Sequence, residues 1–264
     1  MFKYKGSTAL ITGASSGLGE VFARILAARG CDLILTARSE AKLKELARRL
    51  ADEFGIKASV VVADLASPTG PQEVLTEIQM RNLTIDLLIN NAGFGVFERF
   101  LDAPLERQLE EIQVNVQAPL ILAYVLAPGM VSRKRGGIIN LSSSAAFQPL
   151  AGANLYAASK SFIRYFSEAL ARELAGTGVN VLAVCPGPVD TGFFDAMNPV
   201  VKRKDMDRPE TVVNQTLRAF DREKRVVVPG RFAVRVMATA VRFFPRTVVA
   251  RIAESTTRKL NQSK

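Results

Sequence analysis

Ala9-Leu10-Ile11-Thr12-Gly13-Ala14-Ser15-Ser16-Gly17-Leu18-Gly19 reads as a short apolar strand, a glycine turn and the start of a helix. Glycine lets the backbone turn tightly and approach a ligand closely, and the free N–H groups at a helix start favour anions. Strand, glycine turn and helix in that order predict a cradle for the pyrophosphate of a dinucleotide. Its members are Gly13, Ser15, Ser16, Gly17, Leu18 and Gly19. The spacing is GxxxGxG rather than GxGxxG, so the argument leans on the place of the motif after the first strand.

The alternation continues outward from that turn. Strand-like runs fall at 9–12, 32–36, 58–63, 85–90, 137–142 and 179–185, with a late short one at 225–228. Helix-like runs fall between them at 18–29, 40–54, 72–81, 105–131 and 154–175. The 40–54 run carries Leu43, Leu46, Ala47, Leu50 and Phe54 on one face. Apolar strands separated by helices predict an α/β fold of the Rossmann-like, doubly wound type, a parallel sheet covered on both faces. The expectation is one domain, with 1–229 as its catalytic body and 230–264 as a basic, amphipathic helical extension. The run 112–132 has almost no charge but holds Gln113, Asn115, Gln117, Pro119 and Pro128, which predicts a buried or subunit-facing helix rather than a membrane span.

Composition removes several chemistries. The 264 residues include no histidine, which excludes Ser-His-Asp and Cys-His nucleophile systems and His-based metal sites; no metal is expected. Cys31 and Cys185 stand in no metal or redox spacing and suit a reducing compartment, so the expected location is cytoplasmic, with no secretory signal at the start of the chain. Charge is unevenly placed. Residues 222–264 hold eleven Lys/Arg and two Glu, so nine of the ten net positive charges sit there.

The end of the second strand bears on the dinucleotide. NAD binders place a carboxylate about 20 residues beyond the turn, on the ribose hydroxyls. Ala37 and Arg38 stand there instead, and a guanidinium suits a 2′-phosphate, so the expected cofactor is NADP(H). Asp64-Leu65, after the third strand, offers a carboxylate to an adenine amino group or serves as a turn. Asn90-Asn91-Ala92-Gly93, after the fourth, offers small residues for close approach to a ribose, or amides that tie strands together.

Tyr156 and Lys160 are four residues apart in Tyr156-Ala157-Ala158-Ser159-Lys160 and share a helix face. A phenol ionises near pH 10, and a nearby ammonium favours the phenolate. That pairing predicts a proton donor to a carbonyl oxygen as hydride reaches its carbon, or the reverse with an alcohol. Ser142, Ser143 and Ser144 close the fifth strand and can orient the substrate oxygen, though seryl clusters also form turns.

Taken together, these residues resemble the short-chain dehydrogenases/reductases, with their TGxxxGxG and YxxxK motifs in the right order over roughly residues 5–195. The resemblance implies a tetrad. Asn115, in Val114-Asn115-Val116, would hold a water for proton relay, and Ser143 would orient the substrate. Tyr156 would be the acid–base, and Lys160 would bind the nicotinamide ribose and lower the tyrosine pKa. Pro186-Gly187-Pro188-Val189-x-Thr191 resembles the loop whose backbone and threonine contact the carboxamide. Asn91, Ala92 and Gly93 join the cofactor set. One departure stands out: many NADP-dependent members carry a basic residue where Ser15-Ser16 stand, which leaves Arg38 alone to set the preference. The resemblance also implies a homodimer or homotetramer packed through 105–131 and 154–175.

Gly192-Phe193-Phe194-Asp195-Ala196-Met197 falls where the family covers its substrate, and its apolar residues suggest a 3-oxoacyl or ketosteroid-like carbonyl or alcohol. In the extension, Arg231, Arg235 and Arg242 share a narrow arc, Pro245 breaks the helix and a second helix runs to about 259. Packing on the body with solvated arginines, peripheral contact with an anionic membrane, and binding of an acidic partner all remain open there, with no nucleic acid expected. The extension loosely resembles that of bacterial relatives of long-chain 3-oxoacyl and 17β-hydroxysteroid reductases. A non-catalytic NADP-binding sensor or scaffold, and an epimerase or dehydratase on the same fold, are the rival functions.

Overall fold

The Val-, Ile- and Leu-rich runs become seven strands, and the amphipathic runs become helices between them. In chain order the computed structural model gives β1 (Thr8–Thr12), α1 (Gly17–Ala28), β2 (Asp32–Ala37), α2 (Glu40–Phe54), β3 (Ala58–Val62), α3 (Gly70–Met80), β4 (Leu87–Asn90), α4 (Leu105–Ile112) and α5 (Ala118–Ser132). After these come β5 (Gly136–Leu141), α6 (Asn154–Glu173), β6 (Val179–Val184), α7 (Pro209–Asp221), β7 (Val226–Val227), α8 (Phe232–Ala240) and α9 (Arg246–Asn261). The structure describes residues 2–193 and 203–261. The Phe194 to Met197 part of the expected substrate cover therefore lies outside the described residues.

All seven strands pair in parallel, in the order β3-β2-β1-β4-β5-β6-β7. The chain starts in the middle, winds outward through β2 and β3, then crosses back to β4 beside β1. The C-terminal ends of β1 and β4 thus diverge around a crevice, the usual ligand position in such sheets. Alternate residues of each strand enter two apolar layers. Ile11, Leu33, Leu35, Leu87 and Ile89 pack with Phe22, Leu26, Leu43, Leu50 and Phe220 on one face. Leu10, Ile34, Leu88, Ile138 and Val181 pack with Val74, Leu122, Ala123 and Met130 on the other. Cys31 and Cys185 are buried and free, as small core residues.

Two features differ from the sequence expectation. The single helix read over 105–131 is continuous from Leu105 to Ser132, but Gln113–Gln117 form a π turn around Asn115. Such bulges occur where a helix serves a site. Among the described residues this is the one helix long and apolar enough to cross a membrane, with 44% of its apolar window buried. Its inner face (Leu122, Ala123, Met130) joins the core, while Tyr124 and Val125 are exposed. The extension is two helices, as read, but the arginine arc of α8 is not simply solvated. Arg231 pairs with Asp205 and Asp207 at 3.5 and 3.8 Å, and Arg235 donates to the Val228 carbonyl and Gln215 Oε1 at 2.9 and 2.7 Å. A polar arc can face the body as well as water, and periodicity does not distinguish the two.

Candidate active site

The glycine turn is built by contacts that forbid larger residues. Gly13 and Gly17 have φ of +65° and +58°, where side chains are strained. A Cβ on Gly13 would lie 2.9 Å from Ala92 Cα, and one on Gly19 would lie 2.2 Å from the Gly13 carbonyl oxygen. Thr12 locks the turn to β4: its hydroxyl accepts the Asn91 and Ala92 N–H groups at 3.0 and 2.9 Å. Asn91 Nδ2 donates back to the carbonyls of Thr12 and Gly13 at 2.9 and 3.2 Å. Asn90 Nδ2 donates to Asn140 Oδ1 at 2.8 Å, and Asn140 Nδ2 to Ser167 at 2.9 Å, which ties β4, β5 and α6 together. The asparagines therefore have the strand-tying role read from the sequence. Ser16 caps α1 with extended backbone and makes no side-chain cap bond.

Above the diverging strands lies an open crevice of about 1120 Å³. Gly13, Ser15, Ser16, Gly17, Leu18, Arg38, Asp64, Leu65, Asn91, Ala92, Gly93, Ser143, Tyr156, Lys160, Pro186, Gly187, Val189 and Thr191 all line it. Two expected residues do not. Gly19 sits beneath the turn, against the Gly13 backbone. Asn115 is buried behind the wall, where its Nδ2 donates to the Phe94 carbonyl at 2.8 Å and its Oδ1 accepts the Phe94 N–H at 3.2 Å. Its amide is thus engaged by the Phe94 backbone and, through Nδ2, by Ser159 Oγ at 3.2 Å. Asp64 Oδ1 accepts the Ala66 N–H at 3.0 Å, the turn geometry foreseen as its second reading.

Arg38 is exposed and makes no hydrogen bond or ion pair with the described residues. Lys42, at the start of α2, lines the same end of the crevice and is likewise unpaired. Sequence reading missed Lys42, because Arg38 precedes the first turn of α2 and no helical spacing links the two.

At the other end Tyr156 clusters with two rings, 5.3 Å from Phe97 and 5.9 Å from Phe193 between centroids, which are 6.5 Å from each other. Ser143 acts on the Tyr156 hydroxyl in the direction that lowers the phenol's pKa, and the Ser143 oxygen accepts the Ala145 N–H at 3.1 Å. Lys160 is buried, donates from Nζ to the Leu141 carbonyl at 3.0 Å and sits 5.8 Å from the Tyr156 ring centre. The shared face is as expected, but the lowered phenol is not. Burial pushes Tyr156 up to about 12; Ser143 lowers it and the Glu111 charge raises it. Burial also brings Lys160 down to about 8, with Glu111 opposing. The ammonium approaches the ring rather than setting the hydroxyl's pKa, so the protein alone keeps this phenol protonated.

The walls also hold residues that local sequence gave no reason to choose. Phe97 comes from the loop after β4, and Val234 and Met237 come from α8. Gly187 lies so close that a Cβ there would be 2.9 Å from Val234. The inner side of the extension is therefore part of the crevice. Among the described residues, no His/Cys/Asp/Glu cluster has metal-binding geometry.

Comparison with known proteins places this architecture. A family model described as short chain dehydrogenase matches residues 7–201. The chain is 33% identical over 218 residues to a very-long-chain 3-oxoacyl-CoA reductase of Anas platyrhynchos, covering 80% of this chain and 68% of that protein. It is also 33% identical over 202 residues to the inactive hydroxysteroid dehydrogenase-like protein 1 of Homo sapiens, covering 75% and 60%. Among solved structures, a short-chain dehydrogenase from Sphingobium yanoikuyae in complex with NADPH superposes with a TM-score of 0.79 at 34% identity, over 89% of this chain and 92% of that one.

Proposed function

Because this chain belongs to the short-chain dehydrogenase family, we propose that it is an NADP(H)-dependent oxidoreductase acting on an apolar carbonyl or secondary alcohol. The observation that carries this reading is the placement of Tyr156. It lines the same crevice as the glycine cradle, together with Ser143, and buried Lys160 is one helical turn away.

The residues present fit the dinucleotide. The cradle has no room for a Cβ at Gly13 or Gly19, and the first turn of α1 presents its N–H groups there. Arg38 and Lys42 are unpaired cations suited to a 2′-phosphate, and the NADPH complex of the Sphingobium protein agrees with that choice. Lys160 would hold the nicotinamide ribose, and the Pro186–Thr191 loop the carboxamide. When bound, the nicotinamide supplies or accepts the hydride.

The chain's own residues handle orientation and the proton. Ser143 fixes the substrate oxygen beside Tyr156, and the protonated phenol gives up its proton as negative charge grows on that oxygen. Phe97, Phe193, Val234 and Met237 exclude water from the reacting carbon and select an apolar substrate. A 3-oxoacyl or ketosteroid-like compound fits that wall, in keeping with the name of the Anas relative.

A screen of aliphatic, aromatic, steroid and acyl-thioester carbonyls with NADPH, followed by nicotinamide absorbance, tests the reading. Wild type is expected to oxidise NADPH with stoichiometric alcohol product. Tyr156→Phe is expected to lose at least about a hundredfold in turnover while still binding NADPH. Binding without turnover on any carbonyl would favour the sensor or scaffold, and product without net NADPH consumption an epimerase or dehydratase. The human relative named as inactive shows why turnover has to be measured.

Two surfaces complete the proposal. Leu105, Leu109, Tyr124 and Tyr165 are exposed along α4–α5 and α6, a self-complementary apolar face for a homodimer or homotetramer. Light scattering of wild type against Tyr124→Glu tests this. On the extension of residues 230–264, exposed Phe232, Phe243 and Phe244 stand beside Arg242 and Arg246, a pattern suited to peripheral contact with anionic lipid by an otherwise cytoplasmic catalytic body of residues 1–229. Equal recovery on neutral and anionic vesicles would exclude that contact.

A further inference from the structure

Glu111 is fully buried, yet among the described residues it has no ion pair, and it has no part in the proposed chemistry. It lies in α4, one turn before Asn115, at the edge of the π turn. Its Oε2 accepts the Val96 N–H at 3.0 Å, while Oε1 is buried with no hydrogen-bond partner. Asn115 grips the same loop at Phe94, so two side chains of one helix hold alternate residues of the segment.

That segment touches the reacting residues directly. Between the two grips is Gly95, where a Cβ would be 2.8 Å from Tyr156 Cδ2 and 2.5 Å from Phe97 Cε2. Gly93, just before, would place a Cβ 2.9 Å from Asn115 Oδ1 and 3.0 Å from Lys160 Nζ. Phe97 then packs on the Tyr156 ring. A shift of this loop away from α4 would therefore move the wall against which Tyr156 and Lys160 are set.

The charge of Glu111 acts on the same two residues. It favours the cation at Lys160 and disfavours the phenolate at Tyr156. The groups acting back on it are Lys160 from α6, Arg107 one turn earlier in α4, and the Val96 N–H; burial outweighs all three and pushes Glu111 up to about 7. A buried ammonium needs a nearby anion to stay charged at neutral pH.

We propose that Glu111 is a positioning residue of this site: one carboxylate oxygen straps the Val96–Phe97 backbone onto Tyr156, and its charge keeps Lys160 an ammonium. The inference rests on the dinucleotide reading of the crevice.

The test is NADPH binding, followed by nicotinamide fluorescence from about pH 6 to about pH 9, in wild type, Glu111→Gln and Glu111→Asp. Binding that needs the Lys160 cation is lost as pH rises through that group's pKa. Gln keeps an acceptor for Val96 but removes the charge, so its midpoint is expected roughly one pH unit below that of wild type. Asp keeps the charge and is expected to restore the midpoint. Coincident wild-type and Gln profiles would overturn the inference and leave the reductase reading intact. A wild type that binds no NADPH at any pH would overturn that reading and this inference with it. If the Gln variant fails to fold, carbon-13 labelling of glutamate carboxyls in wild type and Lys160→Met carries the test. One carboxyl titrating near 7 that moves to higher pH in Lys160→Met supports the coupling; none moving refutes it.

Discussion

Replacing Arg38 by Ala is expected to weaken NADPH binding by roughly tenfold to thirtyfold and to leave NADH binding within about twofold of wild type. The magnitude follows from the position of the residue. Arg38 is exposed and unpaired, so no existing interaction has to break when a phosphate arrives. In a water-like dielectric a unit pair at about 4 Å is worth about 1 kcal/mol, and a phosphate monoester carries about −1.5 to −2 charges. Two parallel N–H···O bonds from a guanidinium bring the total to about 1.4–2 kcal/mol. Lys42 offers a single mobile ammonium, and Lys42→Ala is expected to cost only about threefold. Both effects act across solvent, so the NADPH/NADH ratio is expected to shrink between about 0.05 and about 0.5 M salt. Fluorescence titration with each dinucleotide at both salt levels measures it. Equal loss of NADPH and NADH in Arg38→Ala, or loss of neither, would refute the reasoning.

Four other outcomes follow from the same geometry. Gly19→Ala drives a Cβ to 2.2 Å from the Gly13 carbonyl, so NADPH titration should show binding lost, with a lower melting temperature. Thr12→Val strips the acceptor from two N–H groups and should cost about 2–3 kcal/mol in urea unfolding. Glu111 is raised from 4.5 to about 7, so the stability of its protonated form is complete below about 4.5 and is lost as pH rises through 7. Glu111→Gln should therefore gain about 3 kcal/mol over wild type at about pH 8 and little at about pH 4, read by denaturant curves at the two values. Because the phenolate is needed for alcohol oxidation and burial holds Tyr156 near 12, the initial rate in wild type at saturating NADP should rise with pH up to about 8, where Lys160 begins to lose its charge, with Glu111→Gln displaced to lower pH.

Much of this fold was legible because its signals are local. The strand at 9–12, the glycine turn and the alternation after it each depend on neighbours in sequence, and β1 to β6 fall within a residue or two of where they were read. Tyr156 and Lys160 were legible because a helix places residues four apart together. What escaped depends on distant partners. Phe97 is in a loop with no periodicity, and the parallel β4–β5 pairing brings that loop beside α6 and Tyr156. Glu111 resembled any acid in Leu105-Glu106-Arg107-Gln108-Leu109-Glu110-Glu111 until burial distinguished it from half-buried Glu110. The pKa of Tyr156 was misjudged for a related reason: spacing reports that a cation is near, but not that desolvation outweighs it. In α8, Arg231 and Arg235 share an arc whose partner the pattern left open among solvent, membrane and an acidic partner, whereas Asp207 and Gln215 turn it toward the body.

The glycine turn near the N-terminus is finished by parts made much later. Gly13 rests against Asn91 and Ala92, and Gly17 packs on Thr191, where an added Cβ would be 3.3 Å from the threonine Cβ. During synthesis the ribosome releases the turn long before either partner, and the crevice closes only when β6 and the loop after it have emerged and docked. A nascent chain that stops short of Thr191 therefore carries the whole glycine turn but lacks the threonine on which Gly17 packs.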